Sequence, residues 1–78
     1  MFSYNISSTA DSKAFEEVCS LIEANLKNLN KEKLLEDVDG TQIQIYTTAN
    51  GKIKVYNDYE VDAVYADSEI DLDTVIVL

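Results

Sequence analysis

TQIQIYTTANGKIKV, residues Thr41–Val55, is the stretch that decides the fold. Its period is two: Ile43, Ile45 and Thr47 share one face of an extended chain, and Ile53 and Val55 share one face of the next run. Asn50-Gly51 between the runs is a hairpin signal. A two-residue turn at Asn50-Gly51 would pair Ala49 with Lys52 and set Ile43 and Ile45 on the face opposite Ile53 and Val55. A three-residue loop, Ala49-Asn50-Gly51 with Gly51 in the left-handed bulge position, pairs Ile45 with Val55 and puts all four on one face. A one-residue slip reverses every side chain, so the second register is the expected one.

Downstream, Tyr59–Tyr65 alternates again, with Tyr59, Val61, Ala63 and Tyr65 on one face. Ala66–Glu69 reads as a loop and Ile70–Leu78 as the last strand. Val75 and Val77 make that strand's end apolar on both faces, as in a central strand or one covered by a second subunit. Upstream, Phe2, Tyr4 and Ile6 alternate with polar residues in a short half-buried strand. Asp11 or Ser12 is placed to cap a helix over residues 12–29. At about 100° per residue, Phe15, Val18, Cys19, Ile22, Leu26 and Leu29 fall in one arc, with Glu16, Glu17, Ser20, Glu23, Lys27 and Asn28 outside it. Lys31–Asp37 reads as a short second helix or turn with Leu34 and Leu35 inward, and Asp39-Gly40 as a turn. The fold class expected is α+β: one main amphipathic helix, plus a short second helix or turn, packed on a mainly antiparallel four- to five-stranded sheet whose other face is polar and acidic.

The 78 residues make a single acidic domain spanning 1–78. Its apolar fraction of 46% is enough for a thin core, which excludes gross disorder. Fifteen acids oppose six basic residues, all lysine, for a net charge of −9, and the chain has no His, Trp or Pro. Phosphate contact needs cationic side chains, so direct nucleic-acid binding is excluded, and docking on anionic membranes is disfavoured. Absence of His removes most metal sites and acid–base triads. The one cysteine, Cys19, fits a reducing compartment, and neither an export signal nor a membrane span is legible, so a cytoplasmic location is expected.

The charge is uneven. Residues 1–54 carry eight acids against six lysines, a net of −2, whereas residues 55–78 carry seven acids and no base. Those seven are Asp58, Glu60, Asp62, Asp67, Glu69, Asp71 and Asp73, at i, i+2 spacing within each cluster. On a strand, i and i+2 share a face about 6.7 Å apart. Successive phosphates of one DNA strand rise about 3.4 Å along the axis while winding round it, so two acidic rows on neighbouring strands or loops would imitate a phosphate backbone. Such acids also serve as the ordinary solvated face of edge strands.

Other chemistries fit less well. Asp37-Val38-Asp39-Gly40 resembles the middle of a calcium loop, but Leu35 and Tyr46 would then stand at ligand positions. Asp71-Leu72-Asp73 would point two carboxylates the same way on a strand, a weak divalent-ion pair. Carboxylate pairs serve hydrolases only in a cleft, which so short a chain rarely forms. Cys19 lies on the apolar arc of the helix and reads as a small core residue. No enzymatic activity, cofactor or metal site is expected. Tyr46 and Tyr56 are placed near the hairpin's outer face. Tyr59 and Tyr65, flanked by acids, are the best interface aromatics.

Small size, strong acidity, lack of Arg and His, and a helix on an acidic sheet together resemble the phage-encoded DNA-mimic inhibitors. The resemblance implies an inhibitor that occupies the basic DNA-binding groove of a host DNA-binding protein, with the seven acids standing in for phosphates. A nucleoid-associated protein of the HU type is the favoured target, because its cleft reads backbone rather than sequence. The alternative is an adaptor or antitoxin-like module that binds through Val75–Leu78 or the tyrosines. A homodimer through the C-terminal strand is a further expectation.

Overall fold

In the computed structural model, which describes residues 1–76, Asp11 starts the helix. Its backbone is extended (φ −154°) and its carboxylate accepts from the N–H groups of Lys13 and Ala14. Strand β1 (Phe2–Ser7) precedes helix α1 (Ser12–Asn25); β2 (Asn30–Lys31), β3 (Leu35–Glu36), β4 (Gln42–Thr48), β5 (Gly51–Asp58) and β6 (Ala63–Ser68) follow. All pairings are antiparallel, in the order β1-β6-β5-β4-β2, with β3 also on β4. The class is α+β as expected, with six strands rather than four or five.

The helix is shorter than its apolar spacing predicts. Leu26 is already extended, and the Asn25 side chain donates to the Leu21 carbonyl at 2.8 Å. Asn25, Asn28 and Asn30 are weak helix formers, and Asn28 takes a left-handed φ of 60°. Leu26 and Leu29 still pack against the core, from extended chain. The second helix or turn expected over Lys31–Asp37 is not helical. β2 and β3, bridged by a hydrogen bond from Glu32 N to the Ile45 carbonyl, form a strap along β4. The strap satisfies backbone groups that β4 would otherwise leave open, and it leaves Leu34 and Leu35 exposed instead of inward.

The hairpin takes neither register considered. Thr48 pairs with Gly51 around an Ala49-Asn50 turn, so Ile45 faces Lys54 and Tyr46 faces Ile53. The Thr48 hydroxyl closes the turn, accepting from Asn50 N and donating to the Gly51 carbonyl. Core places on β4 go to Gln44 and Tyr46, beside Ile53 and Val55 of β5. Tyr46 fills more volume than an isoleucine and its hydroxyl reaches Glu23 on α1 at 2.5 Å. The Gln44 amide donates to the carbonyls of Glu32 and Ile45. Tyr46 is therefore a core residue, while Ile43 and Ile45 join Tyr56 on the outer face.

The expected strand over Tyr59–Tyr65 begins only at Ala63, because Tyr59–Asp62 is a turn. The Asp58 carboxylate accepts from Glu60 N and Val61 N, and Asp62 has a φ of 56°. The expected loop from Ala66 accordingly starts after Ser68. Residues 70–76 form no strand. Val75 N and Ile76 N both donate to the Leu72 carbonyl, and Leu72, Val75 and Ile76 are buried. This segment covers the helix side of the sheet, where Leu72 N donates to the Tyr4 hydroxyl at 2.7 Å. Its apolar residues complete this chain's own core, so 70–76 offer no strand to a second subunit. Val77 and Leu78 lie outside the described residues.

Phe15, Val18, Cys19 and Ile22 of α1 meet Tyr46, Ile53, Val55, Val64 and Ala66 of the sheet in one core. Three polar side chains are buried with them, and each is bonded. Asn57 accepts from Asp11 N and donates to Gln42, and Ser68 exchanges hydrogen bonds with Ile70. Among the described residues no buried polar side chain lacks a partner.

Candidate functional site

Three loops meet at one end of the sheet: 8–11 leading into α1, 37–41 between β3 and β4, and 58–62 between β5 and β6. Hydrogen bonds tie them together. Ala10 N donates to Asp62 at 2.8 Å, Asp11 N to Asn57 at 3.0 Å, and Tyr59 N to the Thr41 hydroxyl at 3.0 Å. Gly40, at φ +91°, lies so close that a Cβ there would stand 3.6 Å from the Tyr59 ring. The loops carry Asp11, Asp37, Asp39, Asp58, Glu60 and Asp62 and no lysine. Among these acids stand Val38, fully exposed, Val61, 63% exposed, and Tyr59, 46% exposed.

Much of this acidity shapes the loops. Asp39 accepts from Thr41 N at 2.9 Å, and the Thr41 N–H and hydroxyl hold its carboxyl below the usual aspartate range. Asp37 accepts from Val38 N. Asp58 uses one oxygen for the turn and the other for the Tyr65 hydroxyl at 3.0 Å. Burial, and then that bond to Asp58, push the Tyr65 phenol up to about 12, so it is a donor at neutral pH. A carboxylate has about four acceptor positions, so each acid retains lone pairs directed to solvent.

The nine residues singled out in the sequence are divided by the structure. Asp58, Tyr59, Glu60 and Asp62 share the three-loop end. Tyr65 and Asp67 lie on the outer sheet face, where Asp67 accepts from Ser3. Glu69, Asp71 and Asp73 follow β6, Glu69 at the far end of the sheet and Asp71 and Asp73 beside the Tyr4 hydroxyl on its helix side. Glu69 accepts from Lys52 N, and Asp71 accepts from the Tyr4 hydroxyl and from Asp73 N. Two rows of carboxylates on neighbouring strands are therefore not formed. Asp58 and Asp67 are in strands, the other five lie outside them, and β6, about 20 Å long, runs between Asp62 and Glu69. Asp71 and Asp73 flank a buried Leu72 in irregular chain instead of pointing together from a strand. Asp11, Asp37, Val38 and Asp39 were missed as neighbours of the 58–62 loop, and Val61 was missed as an exposed apolar residue within it. The available signal was a shared pattern, DVDG and DYEVD, in which an apolar residue is held between acids.

The outer face is not uniformly acidic either. It carries Ile43, Ile45, Lys52, Lys54, Tyr56, Tyr65 and Asp67, and the Tyr56 and Tyr65 rings stack at 4.6 Å. Among the described residues no group of three or more acidic or cysteine side chains is arranged to hold a metal ion, and no helix is long and apolar enough to cross a membrane. Cys19 is buried on α1, and burial pushes its thiol up, away from the reactive thiolate. Comparison with known proteins gives no family model, no curated protein and no solved structure that this chain matches.

Proposed function

We propose that the protein is a non-enzymatic DNA mimic that occupies the basic nucleic-acid groove of a DNA-binding protein in the cytoplasm of a bacterial host. A nucleoid-associated protein of the HU type is the favoured partner. The observation that carries this reading is the three-loop end, where Asp11, Asp37, Asp39, Asp58, Glu60 and Asp62 gather with no lysine among them. A groove built to neutralise phosphates attracts such a surface from a distance and holds it by the same cations. Tyr59 and Val61 would dock at the centre of the contact, where desolvated aromatic and aliphatic groups contribute most. Their exposure, with that of Val38, also favours the second reading, an adaptor or antitoxin-like module held mainly by apolar area.

Salt separates the two. Immobilised protein is exposed to a nuclease-treated bacterial lysate, washed in salt steps, and its partners identified by mass spectrometry. Mimicry expects basic DNA-binding proteins that elute at moderate salt and are displaced by duplex DNA. Glu60→Lys, which removes no hydrogen bond of the fold, should weaken the recovered complex about tenfold, about 1.4 kcal/mol, and flatten its salt dependence. Asp71→Asn with Asp73→Asn, outside the three-loop end and beside Tyr4, should change affinity much less. A partner that resists high salt and ignores Glu60→Lys would replace mimicry with the apolar reading.

A further inference from the structure

The sheet face turned away from α1 has a layout that complements itself. On β5 and β6, Lys54 stands opposite Asp67 and Tyr56 opposite Tyr65, and Lys52 stands beside Glu69. A twofold axis along the strands, midway between β5 and β6, would lay β5 of one copy over β6 of another. Lys54 would then cover the second copy's Asp67, Lys52 its Glu69, and the Tyr56–Tyr65 stack its own counterpart. We propose that this face is an interface between two copies of the chain, with the two sheets packed face to face about this axis.

Three observations support a second copy over another occupant. Stacked rings at the centre with cations on β5 and anions on β6 match the same face turned over, whereas a uniformly basic partner would meet Lys52 and Lys54. Lys52 and Lys54 are exposed and make no ion pair within the chain among the described residues. The face is also less acidic than the rest: these two lysines face Asp58, Asp67 and Glu69 in a chain of net charge −9. About this axis β1, β6, β5 and β4 of the two copies overlap, and four strands about 4.8 Å apart and about 20 Å long give a face of roughly 400 Å2. Two such faces remove on the order of 800 Å2, short of the roughly 1,000 Å2 that a stable specific interface clears, so the dimer is weak and concentration-dependent. Because the axis follows the strands, both copies present their three-loop ends on the same side. The inference does not depend on what those ends bind.

Sedimentation equilibrium across micromolar to millimolar protein tests it. The mass should climb from 8.7 kDa toward twice that value. Lys54→Glu and Asp67→Lys should each remain monomeric, because each sets like charges across the interface. Mixed together they should form a heterodimer, since both cross-copy pairs regain opposite charge while the pairs within each chain stay like-charged. Glu16→Lys, on the exposed side of α1, should dimerise as the parent does. If either charge variant loses its circular dichroism spectrum, Lys52→Glu mixed with Glu69→Lys applies the same exchange one pair along the strands. A parent that remains monomeric at millimolar concentration overturns the proposal. So does a dimer insensitive to these reversals, or a mixture of folded variants that does not associate.

Discussion

At the scale of single residues, much of the i, i+2 spacing of acids belongs to turns. Asp11 accepts from Lys13 N, Asp39 from Thr41 N, Asp58 from Glu60 N and Asp71 from Asp73 N, each two residues on. A short carboxylate closes a turn on the backbone two positions ahead, and an alternating strand produces the same spacing in sequence. Local pattern could not separate the two, so the charge was legible and its geometry was not. Glu23 is used differently. The Tyr46 hydroxyl, and Lys31 at 3.1 Å, hold its carboxyl below the ordinary glutamate range. A carboxyl whose folded pKa is depressed contributes stability that is present above its unfolded pKa and lost as pH falls through the folded one. Glu23→Gln should therefore lower the melting temperature at pH 7 and narrow its gap to the parent as pH drops below about 4.3. A gap that stays constant from pH 7 to pH 3 would show that the charge of Glu23 contributes nothing.

At the scale of elements, the sequence was read well where one force acted alone. The amphipathic arc gave Phe15, Val18, Cys19 and Ile22 as the buried face of α1, and alternation gave β1 within its observed bounds. It failed where two forces competed. On β4 the rule that isoleucine goes inward lost to a tyrosine and a glutamine whose polar ends found partners, so the register assigned from Ile43 and Ile45 was reversed. Residues 70–76 have the apolar pattern of a strand, but the core lacked a cover beside Tyr4 and they supply it as a turn. The β4–β5 hairpin has its own sequence requirement at Gly51. Its φ is +147°, and a Cβ there would meet the Glu69 Cβ at 2.7 Å. Gly51→Ala should cost about 1–3 kcal/mol, from backbone strain and from moving the chain after β6. Urea titration followed by circular dichroism measures it, and a loss under 0.5 kcal/mol would mean that the segment from Glu69 yields freely.

At the scale of the whole molecule, the distribution of charge sets what the fold has to withstand. Net charge of −9 sits on a body with a radius of gyration of 11.6 Å. The three-loop end concentrates six acids, and a second group, Glu69, Asp71 and Asp73, lies beyond β6. Like charges this close repel in the folded state and separate on unfolding, so the repulsion opposes compactness. One ion pair, Lys31 with Glu23, is formed among the described residues, so internal pairing offsets little of it. Added salt screens repulsion over a Debye length of about 10 Å at 0.1 M and about 8 Å at 0.15 M, comparable to the separations within each cluster. The melting temperature should therefore rise as sodium chloride is raised from low millimolar to about 0.15 M, then level off as screening saturates. Because that relief comes from charge and not from apolar burial, sodium chloride and sodium perchlorate at equal low ionic strength should raise it alike. A melting temperature that falls on adding the first 0.15 M salt would mean that attraction outweighs repulsion in the fold. In that case the acids concentrated at the loop end would be carried without strain, and their clustering would need no functional return to offset it.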